Sequence, residues 1–110
     1  MDDLTVCRLS AEALEKRVRE DIDPEDIHFM RLERYDGDLN GGEWNPFIDA
    51  EQRWECVEWL RQRKCHLLIS PGHHHKVNLA GGETISIYDH DAARVPARAV
   101  AELRRREEKT

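Results

Sequence analysis

The chain is short of the residues that most often declare a specialised fold. It has only three cysteines in 110 residues, an odd number with no CxxC pair among them. A disulfide framework is therefore not expected; Cys7, Cys56 and Cys65 read as reduced thiols, the last two as small apolar fillers. No run comes near the roughly 18 consecutive apolar residues that a bilayer crossing requires, and the opening MDDLTVCRLS is acidic where a targeting leader would be basic. These two absences point to a soluble, cytoplasmic protein. The six glycines form no Walker loop and no GxGxxG, and no serine sits in a Gly-x-Ser-x-Gly elbow. Nucleotide cradles and hydrolase-type nucleophiles are thereby excluded, and no cofactor is expected.

What the chain does have is charge. Charged residues make up 36% and apolar residues 39%, against typical values of about 25% and roughly 45–50%. Three Trp, two Tyr and two Phe, with clustered Leu, Ile and Val, still allow a modest core in one compact domain. The net charge of −6 is uneven: residues 1–51 carry 15 Asp/Glu against 6 Lys/Arg, and residues 52–110 carry 8 against 11. A nucleic-acid binder usually shows a basic stripe. The nearest approach is Arg94, Arg98, Arg104, Arg105 and Arg106. These read as the solvated, cation-rich end of a last helix, so nucleic acid is not the expected partner.

Periodicity places the elements. Ser10 reads as the N-cap of a helix through AEALEKRVREDI, with Ala11, Leu14, Val18 and Ile22 on one stripe and Asp23-Pro24 as its stop. Residues 27–35 read as a strand or extended arm, and 36–42 as a glycine-rich loop. Asp49 caps a helix over 49–63 whose wide stripe is Ala50, Trp54, Val57 and Leu60, with Cys56 and Trp59 flanking it. Residues 65–70 form a short buried strand, and HHHKVNL-AGG-ETISIYD a hairpin. A two-residue Gly-Gly loop would split Val77 and Ile85 between opposite faces. Adding Ala80 to the loop pairs Val77 with Ile85, His75 with Ile87 and His73 with Asp89, and sends His74, Lys76, Ser86 and Tyr88 outward. Pro96 opens a last helix, to residue 106, on Ala99, Val100 and Leu103. The expected fold is α+β: an α-β-β-β-α core over 43–110, with helices packed on one three-stranded antiparallel sheet, and an acidic N-terminal helix and extended arm over 1–42.

Two sets of residues are candidates for function. His66, His73, His74, His75 and His90 cluster late in the chain, with Asp89 opposite His73. That pair suits a general base oriented by a carboxylate, and His73 with His75 and a carboxylate suits zinc, although no established zinc spacing is present. A plain polar strand edge fits the same residues. The aromatics Tyr35, Trp44, Phe47, Trp54 and Trp59 gather around a loop–helix junction. Either Trp44 and Phe47 staple the helix onto the core, or Tyr35, Asp36, Asp38, Glu43 and Trp44 form an acid-rimmed, protein-binding hot spot. Ser70 and Ser86 lack a base-bearing setting, so catalysis is not favoured.

The stretch EWNPFIDAEQRWECVEWL, with Trp44, Asn45, Pro46, Phe47, Asp49, Trp54, Val57 and Leu60 matching, resembles a family of small phage and prophage proteins. Their pattern is a Trp-Asn-Pro turn, an amphipathic helix, a short sheet and a closing Ala/Arg-rich helix, here ARAVAELRR. The resemblance spans residues 43–106 and implies an α/β sandwich and a phage accessory role. On that basis the expected function is non-enzymatic binding of a host or defence-system protein, in the manner of an anti-CRISPR inhibitor, with acidic side chains standing in for phosphates. Residues 50–105 also resemble HicA-type toxins, small ribonucleases with a dsRNA-binding-like αβββα fold. Pro71-Gly72-His73 falls near their Gly-Ser-His turn, and ISIYDHDAARVPARAVAEL near their third strand, loop and last helix. That resemblance implies RNA binding or cleavage through His73, with Asp89 beside it.

Overall fold

The computed structural model describes residues 1–33 and 42–108. Its first helix, α1 (Asp3–Ala13), starts earlier than Ser10 suggests, because Asp2 is the cap: its carboxylate accepts the Thr5 N–H at 2.7 Å. Ser10 lies instead inside the helix, fully buried, with its hydroxyl donating to the Cys7 carbonyl at 3.0 Å. The helix also ends earlier than expected. Glu15 takes a left-handed φ of 58°, the Lys16 N–H reaches the Ala11 carbonyl and the Glu15 N–H that of Glu12. This is a Schellman stop without the usual glycine.

The residues expected to continue that helix form strand β1 (Val18–Ile22) instead, paired antiparallel with β2 (His28–Leu32), Val18 opposite Leu32 and Ile22 opposite His28. Asp23 ties the turn between them by accepting the N–H groups of Glu25 and Ile27. In a continued helix the i,i+4 pairs Glu12–Lys16 and Glu15–Arg19 would be worth only about 0.2–0.5 kcal/mol each, and a full ladder of strand pairing outweighs them. A short strand β3 (Glu43–Trp44) completes the first sheet in the order β1-β2-β3, with Trp44 opposite Met30.

The Trp-Asn-Pro-Phe turn then launches α2 (Ala50–Gln62). Asn45 Oδ1 accepts the Phe47 N–H, Gln52 Oε1 accepts the Asn45 N–H, and Asp49 caps the helix by accepting the Gln52 N–H at 3.0 Å. The buried face of α2 is Cys56, Trp59 and Leu60: of the expected stripe Leu60 is buried and Val57 half-buried, while Ala50 is exposed and Trp54 is 57% exposed, so the face turns toward the flanking Cys56 and Trp59. Trp59 is drawn in because its indole N–H donates to the Ala13 carbonyl at 3.0 Å, satisfying the end of α1.

The second sheet has the order β4-β5-β6, with β4 at His66–Leu68, β5 at His74–Asn78 and β6 at Thr84–Tyr88. Its hairpin has the three-residue register: Val77 faces Ile85, His75 faces Ile87, and Gly82 supplies the positive φ of 92°. β4 is an edge strand rather than a buried one, with Leu68 and Ile69 about half exposed. A 3-10 turn (Ala92–Arg94) leads into α3 (Val95–Glu108), which buries Val95, Ala97, Ala99, Val100 and Ala101. α1 packs along α3, so the N-terminal helix is part of the core. The fold is α+β, and among the described residues it has three α-helices and two small antiparallel sheets where one sheet was expected.

Burial pushes the Cys7 and Cys56 thiols up to about 12. Cys65 is also buried. An aromatic disulfide reagent at neutral pH is expected to leave all three thiols intact in the folded protein and to titrate all three in denaturant. Rapid reaction of one native thiol would contradict this packing.

Candidate functional site

Alternation along β5 and β6 sorts the histidine segment into two faces. His75, Val77, Ile85 and Ile87 turn into the core, while His74, Lys76, Thr84, Ser86 and Tyr88 face out. His74 sits opposite Tyr88, and their rings stack in parallel, 4.6 Å between centroids and 8° between planes. Ser86 Oγ lies 2.9 Å from His74 Nε2 and fixes the imidazole in that pose. Lys76 is flanked by Ser86 on one strand and Leu68 on the other. The exposed positions of this sheet, His66, Leu68, His74, Lys76, Thr84, Ser86 and Tyr88, include no carboxylate, an unusual interval in so acidic a chain.

Immediately after β6 lies an ionic cluster centred on Asp89. Asp89 is 7% exposed; its Oδ2 accepts from Arg94 Nε at 2.9 Å and Arg98 Nη1 at 3.0 Å, and its Oδ1 from the Asp91 N–H. Burial pushes this carboxyl up, but the hydrogen bonds from Asp91, Arg98 and Arg94 outweigh it and hold the pKa at about 2. Arg94 also bonds Asp3 at the start of α1 and lies over the Phe47 ring, 4.1 Å from its centroid. Arg98 Nη1 also donates to the Tyr88 carbonyl. His73, Tyr88, Asp89, His90, Arg94 and Arg98 line an open cleft of about 310 Å³ beside the stacked pair.

These positions revise several expectations. The backbone of Asp89 does meet that of His73, its N–H donating to the His73 carbonyl at 2.9 Å. Its carboxylate, however, is committed to the two arginines, so Asp89 does not orient His73 as a general base. His75 is 1% exposed, its Nδ1 accepting the Ser70 N–H and its Nε2 therefore donating to the Asp89 carbonyl. Both ring nitrogens are spent, which removes His75 from any zinc set with His73. Among the described residues no three His, Cys, Asp or Glu side chains gather as a metal site. Of the proposed protein-binding patch, Tyr35, Asp36 and Asp38 lie outside the described residues. Glu43 is exposed on β3, bonded to Asn45. Trp44 is 1% exposed and its indole N–H donates to Ser10 Oγ, so it is a core residue and not a surface contact. Arg94 and Arg98, expected as solvated surface, are instead the groups that hold Asp89.

A larger groove of about 470 Å³ lies between the end of α1 and α2, with Trp54 on its rim and Lys16 paired to Glu55 at 2.7 Å. No helix among the described residues is long and apolar enough to cross a membrane. Fold and site define a small α+β protein carrying an aromatic, cation-bearing sheet face with an arginine-lined cleft at its end. No family model matches the chain, and no curated protein or solved structure does so either.

Proposed function

We propose that the protein is a non-enzymatic, cytoplasmic binder of single-stranded nucleic acid that works through the outer face of the second sheet. The observation that carries this reading is the stacked His74–Tyr88 pair, Tyr88 being 64% exposed, on a face with Lys76 and no carboxylate. Bases stack on exposed aromatics whatever their sequence, at about 1–3 kcal/mol per base, while lysines and arginines follow the phosphates. This reverses the sign of partner expected from the acidic composition: the acids concentrate in the first half of the chain, and the sheet face is built from the second half.

Fluorescence anisotropy with a labelled, unstructured RNA or DNA oligonucleotide tests the proposal. Binding is expected to weaken as salt rises, and Tyr88→Ala to weaken it by about 10-fold or more. Absence of binding at low salt, or a Tyr88→Ala variant indistinguishable from wild type, would refute it. Metal-free cleavage of the RNA that disappears in His73→Ala would point instead to the HicA-like ribonuclease.

A second reading is favoured by the β1–β2 hairpin, whose turn exposes Ile22 and Ile27 beside Glu25 and Asp26. Exposed aliphatics rimmed by acids suit a protein partner with a basic surface. This is the form in which the phage accessory role, with a host or defence-system protein as target, fits the described residues. Co-purification of a single protein that survives nuclease, and is lost on Ile22→Asp/Ile27→Asp, would favour it.

A further inference from the structure

The cleft at the end of β6 has a composition that the sheet face alone does not explain. Two guanidiniums and two imidazoles line it against one carboxylate, and that carboxylate is already saturated by Arg94, Arg98 and the Asp91 N–H. Asp89 thus acts as a fixed clamp on the arginines rather than as a competing charge. Only Nη1 of Arg98 is engaged, on the Tyr88 carbonyl and Asp89; among the described residues its remaining N–H groups have no hydrogen-bond partner. Arg94 is held from the far side by Asp3 and by the Phe47 ring. Two arginines immobilised in this way lose little side-chain freedom when an anion arrives, and guanidinium geometry matches phosphoryl oxygens. At the rim the exposed imidazole of His73 supplies a further N–H donor, and His90, whose Nδ1 lies 3.5 Å from Asp89 Oδ1, offers its Nε2.

We infer that the cleft lined by His73, Tyr88, His90, Arg94 and Arg98 is a phosphoryl-binding site that anchors one phosphate of the strand lying on the β4–β6 face. The anchoring role rests on the nucleic-acid reading; the affinity for a phosphoryl group does not. Tyr88 belongs to both surfaces, since its ring stacks on His74 and also walls the cleft, so a base and an adjoining phosphate can be held by neighbouring groups. The phosphoryl group has two sources, a terminal monoester or an internal diester.

The experiment is a titration of the full chain followed by NMR of the histidine ring and arginine side-chain signals. Inorganic phosphate is compared with chloride at matched ionic strength. A saturable shift confined to His73, His90, Arg94 and Arg98 is expected, weakened about 5-fold or more in Arg98→Lys, which keeps a cation on Asp89 but loses the planar fork. His73→Ala/His90→Ala, at exposed positions, provides a second variant that leaves the Asp89–arginine cluster in place, and it too should weaken phosphate. Shifts no larger with phosphate than with chloride would overturn the site, even if oligonucleotides still bind in a Tyr88-dependent way. Phosphate binding without any oligonucleotide binding would uphold the site and remove the strand from it. Oligonucleotides ending in 5′-phosphate, 3′-phosphate or hydroxyl then separate the sources: tighter binding of one phosphorylated end assigns the monoester, and equal binding of all three, still weakened by Arg98→Lys, assigns the diester.

Discussion

Asp89→Ala is expected to destabilise the protein by about 3 kcal/mol, at the lower end of what losing one partner of a buried ion pair costs. The side chain is 3% exposed, whereas Arg94 and Arg98 are 22% and 30% exposed, so the orphaned guanidiniums recover part of their hydration. The effect is large because four parts of the chain meet at this carboxylate. Arg94 carries it to Asp3 at the head of α1 and to Phe47 before α2, while Arg98 ties α3 to the end of β6. The contribution also has a definite pH dependence. The folded-state pKa of about 2 lies below the ordinary carboxyl value of 3.8, so the stabilisation is complete above about 4 and is lost as pH falls toward about 2. The shift corresponds to roughly 2 kcal/mol. Denaturant melts of wild type and Asp89→Asn should differ at pH 6 and converge as the pH is lowered through this window. A difference that persists undiminished at the acid end would mean that Asp89 acts through packing and not through its charge.

How much of this was readable from the residues depended on whether the signal was local. The hairpin register was, since only a three-residue Ala-Gly-Gly loop unites Val77, Ile85 and Ile87 on one face, and that face is the core. The second helix was as well, through Asp49 and the Asn45 turn. The first helix was not, because two residues, Asp2 and Ser10, are competent caps and periodicity does not choose between them. Its end carries no glycine either, since Glu15 itself adopts the left-handed conformation. α2 ends the same way on Lys64, with a φ of 58°. Of the first sheet only β2 was legible, inside the strand or extended arm of residues 27–35; β1 reads as a continuation of the helix, β3 spans two residues, and the strands alternate poorly in burial. At the site, the outward placement of His74 and Tyr88 followed from register. The role of Arg94 and Arg98 did not, because it depends on α3 folding back across the end of β6, a long-range contact that no spacing encodes. For the same reason the acidic composition says little about any one surface: net charge sums over the whole chain, whereas the acids concentrate in its first half and the outer face of the second sheet carries none.

Trp44→Ala is expected to cost about 3–5 kcal/mol, the range for truncating a large buried aromatic, and so to take away much or all of the stability of a chain this small. Trp44 is 1% exposed, lies opposite Met30 in the first sheet, and donates its indole N–H to Ser10 Oγ at 3.1 Å. The bond closes a chain of buried polar groups, since the Ser10 hydroxyl in turn donates its O–H to the Cys7 carbonyl within α1. The residue therefore couples the first sheet to the first helix through packing and one satisfied donor. Trp44→Phe separates the two contributions: it keeps most of the apolar volume and leaves the serine able to reach Cys7, so a loss of about 1–2 kcal/mol is expected. Denaturant unfolding followed by circular dichroism measures both, free of the fluorescence change that removing a tryptophan brings. If Trp44→Ala unfolds within 1 kcal/mol of wild type, the indole is not the core residue its burial indicates, and a surface role for the Trp-Asn-Pro turn returns. If the large loss is found, any partner lost by Trp44→Ala is lost with the fold. The informative comparison is then Trp44→Phe, which should retain every binding activity that resides on Tyr88, Lys76 and the arginine cleft.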